Sequence, residues 1–344
     1  MKTIIYTCPY VPAEWIAAHG LHANRLLLGR VDSGFSPARA EGVCPYVRSF
    51  IGEVMNNKGA DGVVVTTVCD QMRRAFDIIV RHCDIPVFLM NVPSTWQTLA
   101  AQKLYVDELK RLSGFLVGLG GKSPSKDTLA QTMLDYDDTR TSVRLAREHL
   151  SARRFAEAIA AGGSFKGEAF GDGSSGSGHP QPIRQAQGSA ALEAATLRVP
   201  LAIVGGPLMR ADLDLFDMIE QSGGRVVLDA TETGERGMCP KFDRRRLRED
   251  PLPELAHAYF AGIPDASRRP NNELYRWLKR ELADRAVRGI IFRRYVWCDL
   301  WHAELGRLKD WSDLPVLDID SAGDNAMDLP RIQNRIRAFL EMLQ

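Results

Sequence analysis

Two cysteines in this chain stand at the ends of similar apolar runs that are far apart in the sequence. The first run, residues 62–68, leads into Cys69, and the second, residues 289–297, leads into Cys298; an aspartate follows each cysteine. Short β-branched runs of this kind predict strands of a buried parallel sheet. Ligands of such sheets bind just beyond the carboxyl ends of the strands. Both thiols are therefore predicted to lie at a binding site.

A third cysteine, Cys44, directly precedes Pro45, a residue that suits the first turn of a helix. A thiolate there feels the positive end of the helix dipole, so we expect a lowered pKa of Cys44 and favourable metal ligation. Because Cys69 and Cys298 have similar placements, the three thiols could converge in one cleft. The chain has no Cys-x-x-Cys spacing, so metal ligation and simple burial of these thiols both remain open at this point.

Composition narrows the class of protein. The 344 residues, 45% of them hydrophobic and 25% charged, are enough for two cores. A net charge of +1 gives no electrostatic reason to expect nucleic acid or a membrane surface as partner. The start of the chain lacks a signal-peptide pattern, and no apolar run is long enough to span a bilayer. We predict a cytoplasmic protein whose six cysteines serve metal binding, catalysis or burial and form no disulfide framework.

Strand and helix signals alternate in two regions of the sequence. The first region has strand signals at 4–5, 26–28, 63–67 and 87–90, with helices starting near residues 12, 45 and 71. The second has strand signals at 201–204, 225–228, 289–292 and 316–319, with helices near 211, 272–286, 300 and 330–343 and a polar stretch after the second strand. This alternation predicts an α/β fold with two similar doubly wound parallel-sheet lobes that face a cleft.

The region between the two alternating parts differs from both. Residues 96–161 carry apolar residues at helical spacing and predict a helical insert. A Gly/Ser-rich segment follows that lacks the Gly-Lys-Ser/Thr ending of a phosphate loop, which favours a linker or mobile loop. The predicted domains are an N-terminal α/β lobe at 1–95, the helical insert at 96–161, the linker or mobile loop at 162–196 and a C-terminal α/β lobe at 197–344.

Several segments resemble the 2-hydroxyacyl-CoA dehydratase and benzoyl-CoA reductase family, in particular its D-component, an iron-sulfur subunit. The similar segments are residues 12–20, 42–45, 61–74, 86–93, 203–208, 298–299 and 314–320. The resemblance implies two α/β lobes whose cysteines together hold an iron-sulfur cluster, usually [4Fe-4S]. By position, the counterparts of those ligands are Cys44, Cys69 and Cys298.

The resemblance also implies an activity. A separate ATP-hydrolysing iron-sulfur activator would deliver one electron, and an acyl-CoA thioester would be reduced to a ketyl radical. Loss of a hydroxyl group follows in the dehydratases, which are lyases, while the reductase branch reduces an aromatic ring. The implied assembly is an oxygen-sensitive, anaerobic homodimer or heterodimer with a homologous subunit. Glu14 fits the family's Pro-x-Glu pattern and is predicted as a catalytic proton donor, with a helix-terminal charge as the rival interpretation.

Two other functions remain open. One is a double-cubane reductase, in which bridged clusters reduce small unsaturated molecules, and the other is a non-catalytic binding or scaffold homologue. Among further candidates, Cys8 and Cys239 each precede a proline and are predicted as a fourth ligand, a neighbouring thiol or a structural residue. His302, one helical turn after Cys298, is a candidate neighbour of the cluster, and Cys83 is predicted to be a packing residue.

Overall fold

A computed structural model describes residues 1–29, 42–162, 198–322 and 329–344. The first lobe contains a four-stranded parallel sheet in the order β2-β1-β3-β4. Its strands are β1 (Thr3–Tyr6), β2 (His22–Arg25), β3 (Gly62–Thr66) and β4 (Val87–Met90). Its helices are α1 (Ala13–Ala18), α2 (Pro45–Asn56) and α3 (Asp70–His82). Strand β3 is buried along its whole length, as expected for a central parallel strand with helices on both faces.

The second lobe repeats this arrangement with strands in the order β6-β5-β7-β8, all parallel. Its strands are β5 (Val199–Gly205), β6 (Gly224–Ala230), β7 (Gly289–Tyr295) and β8 (Val316–Ser321). In both sheets the strands lie on both sides of the first strand. β2 and β3 flank β1, and β6 and β7 flank β5, so the strand order changes direction between β1 and β3 and between β5 and β7. Ligands of doubly wound sheets bind at this switch point, beyond the carboxyl ends of the strands.

Three helices lie between the lobes in sequence: α4 (Leu99–Gly118), α5 (Lys126–Leu145) and α6 (Ala152–Ala161). Each begins after a hydroxyl residue whose side chain accepts a backbone N–H of the first turn, which is the expected capping arrangement. These caps are Thr98 for α4, Ser125 for α5 and Ser151 for α6. Tyr105 of α4 stacks on Phe260 with ring centroids 4.7 Å apart, so the helices pack against the second half of the chain as well.

The remaining helices follow the second sheet's strands or cover its edges. They are α7 (Asp214–Gln221), α8 (Arg244–Glu249), α9 (Pro251–Ala256), α10 (Asn272–Asp284), α11 (Asp299–Trp311) and α12 (Leu329–Leu343). None of the helices in the described ranges combines the length and the apolar character needed to cross a membrane.

The cores lie on both faces of each sheet because successive strand residues point to opposite sides. In the first lobe Ile4 and Val64 belong to one core, and Ile5 belongs to the other. The second of these cores also contains Met209 and Tyr295 from the second lobe. Apolar packing therefore continues from one lobe into the other.

The predicted fold class is confirmed, with two similar lobes that each carry a parallel sheet. The strand predicted at 26–28 is wrong in position: β2 occupies His22–Arg25, an edge strand with only one neighbour and few apolar residues, so its signal is weak. The polar stretch after β6 contains α8 and α9, which at six residues each are too short to show a helical period. The predicted domain boundaries stay predictions, since nearly all of the predicted linker lies outside the described residues.

Candidate functional site: a cysteine-lined cavity between the lobes

The two lobes meet where the strands of both sheets end. Arg25, the last residue of β2, donates from Nε to the carbonyl of Thr7 at 2.8 Å and from Nη2 to the carbonyl of Glu232 at 3.0 Å. One guanidinium thus joins the loop after β1 to the loop after β6. The rings of Tyr46 and Tyr295 also lie close across this boundary. The carboxyl ends of the two sheets therefore face a common space.

Each of the three predicted cysteines is the N-cap residue of a helix. Cys44 precedes α2, Cys69 precedes α3 and Cys298 precedes α11. The first turn of a helix has backbone N–H groups without intrahelical partners, so each thiol stands beside amide donors. The side chain of Gln71 accepts the backbone N–H of Cys44 at 2.9 Å and ties the first cysteine loop to the second. The local sequence places all three sulfur atoms at helix starts.

The three thiols line one inner cavity between the lobes, with a volume of about 70 Å³. They also line a larger outer cleft with a volume of about 730 Å³. Val68, Ser267 and Leu300 also line both the inner cavity and the outer cleft. The cysteines therefore stand at the boundary between a small cavity and a wide cleft. All six cysteines of the chain are free thiols.

Burial controls the protonation of these thiols. It raises the pKa of Cys44 to about 11 and the pKa values of Cys69 and Cys298 to about 12. Nearby backbone N–H groups act in the opposite direction but do not compensate. The lowered pKa predicted for Cys44 is therefore wrong, because desolvation outweighs the helix terminus. Each thiol also raises the pKa of another of the three, which shows that they lie within electrostatic reach of one another.

Among the described residues, no three His, Cys, Asp or Glu side chains lie close enough to hold a single metal ion. Thiolates on one ion must approach each other to about 4 Å, since each sulfur lies about 2.3 Å from a metal such as zinc. An iron-sulfur cluster accepts each cysteine on a different iron, so its ligands are more widely spaced. Three cysteines from both lobes line one cavity, and thiolate is the ligand type that iron-sulfur clusters use.

Two carboxylates face the inner cavity in different states. Arg236 donates to Asp265 at 2.5 Å, and the backbone N–H of Ser267 donates to it at 2.8 Å. Although burial opposes ionisation, these contacts lower the pKa of Asp265. Burial, together with the negative charge of Asp265, raises the pKa of Glu232 to about 7. The inner cavity thus holds one paired carboxylate and one carboxylate close to the point of protonation.

The outer cleft has a polar wall. Thr67 donates its hydroxyl to the amide oxygen of Asn91 at 3.0 Å and accepts the backbone N–H of Val92 at 3.0 Å. Arg73 and Arg269 line this cleft together with Asp70 and Asp299, so the charges of its lining balance, and Arg73 lies 3.7 Å from Asp70. The cleft is the part of the site with room for a large polar ligand that reaches in to the cysteines.

Glu14 lies elsewhere. Its side chain is fully buried, pairs with the guanidinium of Arg140 and accepts the hydroxyl of Tyr259 at 2.6 Å. It does not line the inner cavity or the outer cleft. The catalytic role of Glu14 stays a prediction, and the contacts present are those of a buried structural ion pair.

The other candidate residues of the sequence analysis lie in different places, and only one of them lines the space around the three cysteines. Cys8 lines the inner cavity beside the three predicted ligands. Cys239 lines a different cavity, beside Arg140. Cys83 packs against a core of the first lobe, and His302 is exposed on α11 and lines neither space around the cysteines.

Sequence reasoning missed Glu232, which stands in the stretch taken as merely polar. A usable signal was present, because Glu232 follows β6 by two residues, as Cys69 follows β3 by three. The rule that ligands gather beyond the carboxyl ends of parallel strands applies to both positions. Tyr46 and Asp265 gave no such signal, since only the tertiary fold brings them to the cavity.

Comparison with known proteins identifies the family of this chain. No curated protein matches the chain. A sequence model of the protein family described as 2-hydroxyglutaryl-CoA dehydratase, D-component, matches residues 8–343. The matched range is nearly the whole chain and includes Cys44, Cys69, Cys298 and Glu232.

Proposed function

Since the chain belongs to the 2-hydroxyglutaryl-CoA dehydratase D-component family, we propose that it is the iron-sulfur subunit of a 2-hydroxyacyl-CoA dehydratase-like enzyme. Membership makes the chain a dehydratase-like component of an enzyme system. The observation that carries the finer proposal is the meeting of three N-cap cysteines from both lobes at one cavity.

In this proposal Cys44, Cys69 and Cys298 hold a [4Fe-4S] cluster. When bound, the cluster supplies single electrons at low potential. The chain's own contribution is desolvation of the sulfur donors, two of which are only partly buried, and the amide groups of three helix starts, which favour their thiolate forms. Metal binding must displace the protons that these raised pKa values retain at neutral pH.

An acyl-CoA substrate fits the outer cleft better than the inner cavity. The cleft has roughly ten times the volume of the cavity, about 730 Å³ against about 70 Å³, and is lined by all three cysteines. Arg73 and Arg269 line it, and arginine is well suited to bind the phosphate groups of coenzyme A. We place the acyl group near the cysteines and the nucleotide end toward solvent.

Two partners belong to this proposal. The family implies that the electron comes from an ATP-dependent iron-sulfur activator protein, which agrees with the lack of a phosphate-loop signature in this sequence. The subunit acts as a homodimer or as a heterodimer with a homologous subunit. Activity would be measured anaerobically as dehydration of 2-hydroxyacyl-CoA thioesters in the presence of activator and ATP.

Anaerobic reconstitution of the full chain with iron and sulfide tests the proposed cofactor. We expect about four irons per chain, which is the content of one [4Fe-4S] cluster. About eight irons would favour the double-cubane reductase. A colourless chain without iron, correctly folded by circular dichroism, would contradict the redox proposal and favour a non-catalytic homologue.

A further inference from the structure

The three proposed ligands are anchored to the fold in different ways. Cys69 and Cys298 each come three residues after the end of a central strand, β3 and β7 respectively. The N–H of Cys298 also donates to the carbonyl of Tyr295 at 3.2 Å, which closes a turn onto the end of β7. In the described part of the chain, the last strand before Cys44 is β2, which ends at Arg25. Cys44 therefore depends on other contacts for its position.

The side chain of Gln71 supplies one such contact. Its Oε1 accepts the backbone N–H of Cys44 at 2.9 Å. Because a backbone N–H can only donate, the carboxamide oxygen is the atom that faces Cys44. The carbonyl of Cys44 accepts the N–H of Arg48 at 3.0 Å, a bond to its own helix α2. The bond to Gln71 thus joins the Cys44 backbone to a different helix.

Gln71 is held in place by its position in α3. It is the second residue of that helix and follows Cys69, the N-cap residue, by two positions. Helices α2 and α3 belong to the same core, to which α2 contributes Val47 and α3 contributes Met72. A short covalent path and one hydrogen bond therefore connect the backbone of Cys44 with that of Cys69.

This hydrogen bond lies where ligand spacing is decided. A cluster accepts cysteines only at positions set by its own dimensions, so ligands that are already in place bind it best. Hydrogen bonds made by residues around the ligands are a usual means of holding such positions. Gln71 lines the outer cleft together with all three cysteines. Its contact with Cys44 bears directly on the spacing of the two ligands that the first lobe contributes.

We propose that Gln71 is a positioning residue for the cluster, whose carboxamide oxygen fixes the backbone of Cys44 relative to Cys69. This inference rests on the proposed function, since it takes both cysteines as cluster ligands. Gln71 supplies no ligand atom and acts only through the Cys44 backbone. Loss of a supporting hydrogen bond around a metal site typically weakens metal binding by about 10–100-fold. Without the Gln71 oxygen, the cluster is therefore released faster.

Two substitutions separate the hydrogen bond from the shape of the side chain. Gln71→Met has a similar length but no acceptor for the N–H, whereas Gln71→Glu keeps an acceptor oxygen. Full chains are reconstituted anaerobically with iron and sulfide and mixed with excess chelator, and the decay of visible absorption gives the rate of cluster loss. We expect this rate to rise at least about tenfold in Gln71→Met and to stay within about threefold of the wild type in Gln71→Glu.

Gln221→Met is the matched control for this experiment. Gln221 is exposed at the end of α7 and lines neither the inner cavity nor the outer cleft. Its cluster should be lost at the wild-type rate. Melting temperatures of all variants should stay close to that of the wild type, because faster loss by positioning requires no global unfolding.

Hydrogen–deuterium exchange of the cluster-free chain tests the contact itself without metal. The Cys44 amide should exchange at least about tenfold faster in Gln71→Met than in the wild type, because its N–H has lost its acceptor. In Gln71→Glu the amide should stay protected. Unchanged exchange in Gln71→Met would show that Gln71 does not hold Cys44.

The rates of cluster loss decide the positioning role. Equal rates in the wild type and Gln71→Met would overturn this role and leave the proposed function intact. Equally fast loss in Gln71→Met and Gln71→Glu would also overturn it, because the acceptor oxygen would then make no difference. A wild-type chain that binds no iron would refute the proposed function and the positioning role together, while amide exchange would still report the hydrogen bond.

Discussion

Tyr46 of the first lobe and Tyr295 of the second face each other with ring centroids 6.1 Å apart and planes inclined by 31°. Tyr295 accepts the backbone N–H of Met209 at 3.0 Å and donates to the carboxylate of Asp212. The hydroxyl of Tyr46 is buried near Thr7 but makes no hydrogen bond of ordinary geometry. Because Tyr46 follows Cys44 by two residues, this aromatic pair helps to hold two lobes, and their cysteines, around one cavity.

Replacement of Tyr46 separates packing from hydrogen bonding. Tyr46→Ala removes the ring from the interlobe contact and should lower the free energy of unfolding by about 3–5 kcal/mol. Tyr46→Phe keeps the ring and loses only a hydroxyl without a partner, so its stability should stay within about 1 kcal/mol of the wild type. Urea unfolding followed by tryptophan fluorescence measures both changes. Similar losses in the two variants would show that the hydroxyl, not the ring contact, stabilises the interface.

The proposed ligand set predicts a sharp division among the cysteines. Alanine replacement of Cys44, Cys69 or Cys298 should each remove the four-iron cluster, because each supplies one sulfur donor at the cavity. Cys83→Ala is the matched control, since Cys83 lies at the other end of α3 from Cys69 and does not line the cavity. Iron and sulfide analysis with visible absorption spectra gives the result. Loss of iron in all four variants alike would argue against the ligand assignment.

Substitution of Glu14 tests whether this residue stabilises the fold or takes part in catalysis. Glu14→Ala leaves the buried guanidinium of Arg140 with only the more distant carboxylate of Asp137, 3.7 Å away, which should cost about 3 kcal/mol of folding stability. Glu14→Gln keeps an acceptor for Arg140 and should lose less. Thermal and urea unfolding measure the effect, and iron content per folded chain should stay unchanged. A Glu14→Ala variant that is as stable as the wild type but inactive would support the predicted catalytic role instead.

The raised pKa of Asp229 predicts that the stability of the fold depends on pH. Burial raises its pKa from 3.8 to about 6 in the folded protein. The folded state therefore keeps a proton that the unfolded state has released, and this contribution is complete below pH 4 and lost as pH rises through about 6. Relative to Asp229→Asn, the wild type should lose up to about 3 kcal/mol of stability over this range. Urea unfolding at several pH values measures the difference.

A control with the opposite sign is available. Asp243 is exposed and caps α8, where the backbone N–H groups of Arg246 and Arg245 lower its pKa. Its contribution to stability is present at neutral pH and is lost as pH falls through its folded pKa. Asp243→Asn should therefore alter the acid side of the profile and not the range that Asp229 controls. A rise in relative wild-type stability between pH 4 and 7 in the Asp229 comparison would contradict the assignment.

Much of the fold follows from local sequence. Apolar β-branched runs such as 62–66 form fully buried central strands, because such a run is stable only between two layers of helices. Edge strand β2 and the short helices α8 and α9 were not predicted in place. Their formation depends on packing against neighbours, so their own residues carry a weak periodic signal.

By itself, the sequence determined the two parallel-sheet lobes and the start of a helix after each of Cys44, Cys69 and Cys298, because strand patterning and helix capping depend on neighbouring residues. Only the tertiary structure decided that these thiols line one cavity, that burial raises their pKa values and that Glu232 lines the same cavity while Glu14 does not. The physical reason is that desolvation and side-chain convergence depend on residues hundreds of positions away, which no local pattern encodes.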